Sequence, residues 1–572
     1  MWIISSKKLN SSLAHHVFEG YNLYSNNQWH NCEGSSTIFF YEGYVLIRGQ
    51  KHSSKESVDA ELTRLIAENK LKPEMIKGNY TLVVCREDSF QVISDRFGVQ
   101  KWFYWQDGNS FIVSDDLRAI VSEVTPKLSK DNMALYALTY HFVNGKTIYD
   151  GIMHNEPAQL LEFKDRKLTI GSYWSPLSLL EQGRQEIDIK EIVDCLGSHV
   201  DDLLAYCGKD SISLSLTGGA DTRNLLALML SRNVKPHLYT YGNPASCDCD
   251  KAGKISKGLG FDHHIHDIRM NSDRFREYSS SIISWGNSLS SIHRAHRVMA
   301  VEQESKFANT MFLGTLGGEF VKGVSEDYYI VPDVVFDNWK AASINSQQLT
   351  GYLANKSINS SSVILDSLSE EISKEFVTGS LQQRKLKSLT HITAHLHDAQ
   401  DIVLYQKAMK YVFTPFLDID YLELLFTSRY PFSNKEPITG RISRRVQNPI
   451  YASKFIRSAY PKLGRFRYSG EHKPNEVMLN PYFAALLKGI RQKFSKPYPP
   501  NFPLGQWMRD FVLAELPLCK GISEINEVFQ IDDMIREIED NECPPKESFW
   551  LKYTNPIMMR YIVEGMESER KY

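Results

Sequence analysis

The sequence predicts an α/β protein of more than one domain. Its 572 residues are too many for a single hydrophobic core. The first 175 or so residues read as short apolar runs separated by polar turns, which is a β-rich pattern. From about residue 191 strands alternate with helical stretches, as in a parallel sheet covered by helices.

Within residues 1–175 the candidate strands are 36–40, 44–47, 81–85, 89–93, 101–105 and 111–114. Helical patterns lie at 57–69 and 130–138. Residues 176–190 are polar and read as a linker. The unit 191–470 opens with a helix. Ile212, Leu214 and Leu216 then alternate with Ser211, Ser213 and Ser215, which makes a strand with one bulky and one small face. Asn224–Leu230 starts a buried helix. Leu238–Gly242 is a second strand, Leu259–His264 leads into another, and Asn309–Gly314 is a later one. Residues 330–460 are mainly helical. Lys496–Pro503, with four prolines, breaks the chain inside a helical C-terminal extension, 471–572.

Charge and composition narrow the function classes. Lys and Arg number 66 against 68 Asp and Glu, so no global field favours nucleic acid or an anionic membrane. No apolar run approaches the roughly 18 residues needed to cross a bilayer. The opening Met-Trp-Ile-Ile-Ser-Ser-Lys-Lys lacks the order of a signal peptide, so a cytoplasmic protein is expected. The eight cysteines have no disulfide-framework spacing. Cys247 and Cys249 with His263, His264 and His266 invite a zinc reading, but the spacing fits no common ligand set.

The chemistry is concentrated where the strand ends in Thr217-Gly218-Gly219 and turns into a helix. Glycines let backbone N–H groups approach an anion, and the helix N-terminus adds positive dipole. Asp221 stands where it could hold Mg²⁺ on bound phosphates, and Thr217 and Thr222 supply hydroxyls. The alternative is an ordinary Gly-Gly turn.

Thr217-Gly218-Gly219-Ala220-Asp221-Thr222 resembles the Ser-Gly-Gly-x-Asp-Ser pyrophosphate loop of the asparagine-synthetase family. It is not a Walker loop, because no Lys-Ser or Lys-Thr follows the glycines. Gly78–Val84 and Asp95–Tyr104 are similar to the Gly-x-Phe and Asp-Arg-x-Gly-x-Lys signatures of that family's glutaminase domain. Phe111–Ile120, Thr147–Ile152 and Tyr173-Trp174 match the segments that follow. The resemblance implies an N-terminal Ntn-hydrolase-like αββα sandwich. A parallel-sheet PP-loop (HUP-like) nucleotide-binding domain with a helical C-terminal part follows it.

The implied chemistry is adenylation of a carboxylate by ATP·Mg²⁺, with pyrophosphate released, followed by attack of an amine or ammonia. On this reading Asp221 and Glu319 hold Mg²⁺. Thr217, Gly218, Gly219 and Thr222 hold pyrophosphate, while Ser215, Tyr241 and Gly314 line the adenosine site. Asp221, Glu319, Lys322 and Arg467 are the catalytic candidates.

Several positions depart from the family. Trp2 stands where glutamine-hydrolysing members have Cys, so the N-terminal domain is expected to lack amidase activity. Ser5 or Ser6 could serve only after unusual processing. In the second loop, Leu313–Gly323, Gly318 replaces a metal-binding Asp and Lys322 replaces a Gly. Tyr411 and Phe413 replace a Glu and an Arg before Pro415-Phe416-Leu417-Asp418. Arg441–Arg445 and Arg465–Arg467 are cationic runs.

The leading expectation is an amide-forming ligase without its own glutaminase, served by free ammonia, an amine, or a separate amidase or other biosynthetic partner. No nucleic-acid or membrane partner is expected. The alternatives are a glutamine-hydrolysing asparagine synthetase, a nucleotide-binding homologue without ligase activity, and a tRNA-modifying pyrophosphatase.

Overall fold

Two six-stranded antiparallel sheets stack face to face in the first 175 residues. One runs, in spatial order, Ile152–His154, Phe103–Asp107, Ser110–Ser114, Trp2–Ser5, Tyr21–Ser25 and Ala14–Phe18. The other runs Lys167–Ser172, Gln159–Lys164, Phe90–Ser94, Ile76–Cys85, Ile38–Ile47 and His30–Asn31. The computed structural model describes every residue except 33–35, 323–345, 375–377, 433–440, 541–546 and 571–572.

Alternation along the strands builds the layers. Trp2, Ile4, Tyr21 and Leu23 from one sheet meet Phe40, Val83, Phe90 and Val92 from the other in the inter-sheet core. Ile3, Val45 and Leu82 point to the outer faces and join a second core. Helices Lys55–Ala67 and Leu117–Val124 cover those faces, giving the expected αββα order.

The two strands expected at 36–40 and 44–47 are one ten-residue strand, paired from Ile38↔Cys85 to Ile47↔Ile76. Glu42-Gly43 reads as a break, but Gly43 sits inside the ladder at φ +79° with the Asn79 carbonyl where a Cβ would project. Trp2–Ser5, Ala14–Phe18 and Tyr21–Ser25 were not anticipated as strands. Ala14–Phe18 is a solvent-exposed edge, so its sequence carries no buried alternation.

The second sheet system is five-stranded and wholly parallel. Its order is His263–His266, His237–Tyr241, Ile212–Ser215, Thr310–Phe312, Tyr411–Phe413. The chain therefore reverses direction of addition between the 212–215 and 310–312 strands. A crevice opens at such a switch point, beyond the strands' carboxyl ends. The loops 216–220 and 313–318 leave the sheet there.

The two sheet systems are clamped together by charge. Buried Lys77 forms an ion pair with Asp418 at 3.0 Å and donates to Asp420 at 2.9 Å. Arg48 reaches Asp420 at 2.6 Å and also pairs with Glu423. Asn79 donates to Thr414 Oγ1 at 2.6 Å. The Pro415–Asp418 turn after the last parallel strand is thus held from the N-terminal side. Helices dominate the remainder, and Lys496–Pro503 connects Pro481–Phe494 to Leu504–Glu515 without helix or strand. Among the described residues no helix is long and apolar enough to cross a membrane.

Candidate functional site

The site is built at the carboxyl end of the 212–215 strand. The chain turns through Leu216–Ala220 and enters the helix Asp221–Ser231. Ala220, at the helix N-cap, gives no side-chain cap, so the first turn's N–H groups await an acceptor from elsewhere. Gly219 N–H donates to Thr217 Oγ1 at 3.1 Å, and Thr217 and Thr222 hydroxyls lie 3.5 Å apart. Gly218 N–H donates to Asp248 Oδ1 at 3.0 Å, and the Gly218 carbonyl accepts from Ser469 N–H at 2.8 Å.

The second loop lies directly on the first. A Cβ at Gly314 would fall 2.8 Å from the Thr222 backbone nitrogen, and one at Gly317 would fall 2.8 Å from Asp221 Cβ. A Cβ at Gly318 would meet Lys322 Nζ at 2.7 Å and Asp221 Oδ1 at 2.8 Å. Absence of a side chain at 318 is therefore what lets Lys322 approach Asp221. Lys322 Nζ also lies 3.9 Å from Glu319 Oε1. Burial, aided by the neighbouring Glu319 charge, pushes the Asp221 carboxyl up to about 7 against the pull of Lys322. Asp221 in turn holds the Lys322 ammonium above its ordinary value.

The structure thus gathers Ser215, Thr217, Gly218, Gly219, Asp221, Thr222, Gly314, Glu319 and Lys322 at the carboxyl ends of the 212–215 and 310–312 strands. Tyr241 ends the neighbouring strand, its ring 5.5 Å from that of Phe502. Arg467 is differently placed. Its guanidinium is half exposed and lies 3.3 Å from Glu471, while its backbone carbonyl accepts from Arg223 Nη2 at 3.0 Å. Fully buried Arg223 also donates to the Phe466 carbonyl and lies 4.2 Å from the Tyr468 ring, so it pins the 466–468 segment to the Asp221–Ser231 helix.

Tyr411 starts the last strand opposite Thr310, at the end away from the loops, with its ring against Tyr206 and Phe413. It does not stand beside Asp221 in place of a base. The side chains of the 441–445 cationic run, and Gly323, lie outside the described residues.

Sequence reading missed Asp248, Lys251, Arg223, Ser469 and Glu471. Lys251, on the helix Cys247–Leu259, is 5% exposed, pairs with Glu471, and has its Cγ 3.2 Å from where a Gly218 Cβ would sit. An Asp and a Lys on the first turns of a helix that follows a central strand are the signal that pointed there. Cys247 and Cys249 belong to the same helix. Among the described residues no group of three or more His, Cys, Asp or Glu is arranged to hold a metal ion. Asp221 and Glu319 are two carboxylates, a set that suits Mg²⁺ only with phosphate oxygens completing its shell.

The first strand of the N-terminal domain, Trp2–Ser5, is buried along its length. Trp2 is fully buried between the sheets, and its backbone N–H donates to Asp115 Oδ1 at 2.7 Å. The Met1 ammonium bonds Asn26 and Asn27 and lies 3.6 Å from Asp115. Cys32 and Cys85 are buried, and burial raises both thiols, Cys85 to about 12. Ser6 is engaged with the Phe111 backbone.

Comparison with known proteins finds a family match in the N-terminal unit. The family described as a glutamine amidotransferase domain matches residues 49–174, inside the two-sheet unit. Asparagine synthetase [glutamine-hydrolyzing] 3 of Bacillus subtilis (strain 168) is 26% identical over 175 residues, covering 29% of this chain and 27% of that protein. The chain therefore matches about a quarter of that relative's length. Among solved structures, B. subtilis glutamine phosphoribosylpyrophosphate amidotransferase complexed with ADP and GMP is 14% identical, with 47% of this chain and 60% of that one covered and a TM-score of 0.18. A structure of the allosteric regulatory enzyme of purine biosynthesis is 13% identical, with 42% and 59% covered and a TM-score of 0.18.

Proposed function

We propose that this asparagine-synthetase-family protein is an ATP-dependent ligase. It adenylates a carboxylate, releases pyrophosphate, and passes the acyl group to an amine or ammonia without hydrolysing glutamine itself. Family membership is supported by the amidotransferase-domain match and the asparagine synthetase relative. The single observation that carries the ligase reading is the meeting of two glycine loops at the sheet's switch point. There the uncapped helix at Asp221 and the Gly218-Gly219 turn face a second glycine loop.

The chain's own groups divide the work. Thr217 and Thr222 hydroxyls, with the first-turn N–H groups, bind the pyrophosphate oxygens and hold them as charge builds on the leaving group. Gly218 N–H is engaged by Asp248, so that carboxylate must yield its bond to a phosphate oxygen. Lys322 faces Asp221 across the space left by Gly318 and neutralises charge beside the transferring phosphorus. Mg²⁺, held by Asp221 with Glu319, would supply Lewis-acid neutralisation of the phosphates. Arg467, anchored through Arg223, is the remaining cation offered toward the substrate.

The lack of a functioning amidase is supported by Trp2 filling the inter-sheet core and by the buried, high-pKa thiols of Cys32 and Cys85. Nitrogen then comes from solution, from the acceptor substrate's own amine, or from a separate amidase. The protein works in the cytoplasm on this reading.

A second reading has its own observation. Gly318 offers no carboxylate and Lys322 occupies the space beside Asp221, an arrangement that suits a nucleotide-binding homologue without ligase activity. ATP–pyrophosphate exchange across a panel of carboxylates separates the two. Exchange that depends on one carboxylate and disappears in Asp221→Asn supports the ligase. ATP binding with no exchange for any carboxylate supports the second reading.

A further inference from the structure

The nucleotide crevice has a wall that the sequence did not assign to it. Residues Lys496–Pro503 of the C-terminal extension lie along the nucleotide domain as a strap. At one end the Tyr498 hydroxyl donates to Asp250 at 2.8 Å, and its ring lies 5.7 Å from the ammonium of Lys251, the residue packed under Gly218. At the other end Asn243 N–H donates to the Asn501 carbonyl at 3.0 Å. The strap therefore runs from the phosphate loop to the end of the 237–241 strand, the direction in which a nucleotide would extend.

At that strand end the fit is close. Gly242 has φ +111°, and a Cβ there would overlap Asn501 Oδ1 and fall 2.9 Å from Phe502 Cε1. Phe502 is fixed by the rings of Tyr241 at 5.5 Å, His296 at 4.6 Å and Trp507 at 6.2 Å. Within this rigid setting Asn501 Oδ1 is buried and has no hydrogen-bond partner among the described residues. A buried acceptor without a donor is a cost that a ligand's N–H would remove.

We propose that Asn501 determines which base the site accepts, its Oδ1 taking a hydrogen bond from the exocyclic amino group of a 6-aminopurine. A 6-oxopurine would set a second acceptor against it. The inference rests on the nucleotide-binding reading above, and it assigns base recognition to a segment outside the domain that holds the phosphates.

The test is calorimetric titration of the full-length protein with ATP, ITP and inorganic pyrophosphate in the presence of Mg²⁺. The wild type is expected to prefer ATP over ITP by about tenfold, the worth of one good hydrogen bond against an unmatched acceptor. Asn501→Ala should bring that ratio to within about twofold and leave pyrophosphate affinity unchanged. Asn501→Asp, which keeps an acceptor and cannot turn a donor inward, should retain the preference for ATP. Phe502→Leu should weaken ATP and ITP alike without altering their ratio.

A wild type that binds ATP and ITP equally, or an Asn501→Ala variant that keeps the preference, overturns the assignment while leaving the phosphate site standing. Loss of pyrophosphate binding in Asn501→Ala would mean that Asn501 acts on the fold and not on the base, which also overturns it. A wild type that binds neither ATP nor pyrophosphate sinks the ligase reading as well.

Discussion

Asp221 is where stability and the proposed function pull in opposite directions. Its folded-state value of about 7 lies above the ordinary 3.8 of an aspartate. Below that lower value both folded and unfolded states carry the proton and the carboxyl costs nothing. Between the two values the unfolded chain ionises first, so stability falls as pH rises, and above about 7 the full penalty is present. Asn at this position has no such titration. Asp221→Asn should therefore melt at a higher temperature than wild type, with a gain that grows from pH 5 to pH 7 and levels by pH 8. A gain that is flat across this range, or larger in acid, would contradict the burial argument. The same variant should lose carboxylate-dependent pyrophosphate exchange by at least about a hundredfold.

The residues that the structure brings together were legible in the sequence where they are contiguous. Thr217–Thr222 and Leu313–Glu319 are each one contiguous stretch, the first suggesting an anion site by its glycines and hydroxyls and the second by its family resemblance. Asp248, Ser469 and Asn501 reach the same crevice from segments distant in sequence, with side chains that have no special local pattern. Only folding brings them to Gly218 and Gly242.

Elements are positioned by a few buried contacts, and the Pro415–Asp418 turn shows how. Asp418 is almost fully buried and forms an ion pair with Lys77, with His199 Nδ1 3.1 Å away. Burial holds His199 neutral, lowering it to about 4, so Lys77 is the cation that balances this carboxylate. Lys77→Ala leaves Asp418 charged and unpaired in the interior, which costs about 3–5 kcal/mol. Urea denaturation should show that loss, and Asp418→Asn on the same background should recover part of it by removing the orphaned charge. If the single variant is within about 0.5 kcal/mol of wild type, Lys77 is not a clamp.

Strand type was readable where one face is buried, as in Ile212–Ser215, whose Leu214 packs while its serines stay small. It was not readable in Ala14–Phe18, where the edge is exposed. It was misread at Glu42-Gly43, where pairing with Ile76–Cys85 overrides a local turn signal.

Over the whole molecule the N-terminal domain braces the parallel-sheet half. Its strands carry Arg48, Lys77 and Asn79 to the turn that closes the parallel sheet. Lys101, within the Asp-Arg-x-Gly-x-Lys segment, donates to the His395 carbonyl at 2.8 Å and lies 2.7 Å from its Nδ1. That signature therefore survives here in a structural contact between the two halves.

Trp2 tests the distinction between scaffold and enzyme. Its side chain fills the inter-sheet core next to Phe40, ring centroids 6.3 Å apart, in a domain whose thiols are buried. Trp2→Ala should open a cavity and lower stability by about 3–5 kcal/mol. It should not create glutamine hydrolysis, because vacating space supplies neither a nucleophile nor a base. Amide formation in wild type should accordingly proceed with ammonium or an amine and not with glutamine, measured as AMP release under each nitrogen donor. Glutamate release from glutamine by the purified wild-type protein would show instead that the two-sheet domain still works as an amidase. Trp2 would then have to move aside during turnover.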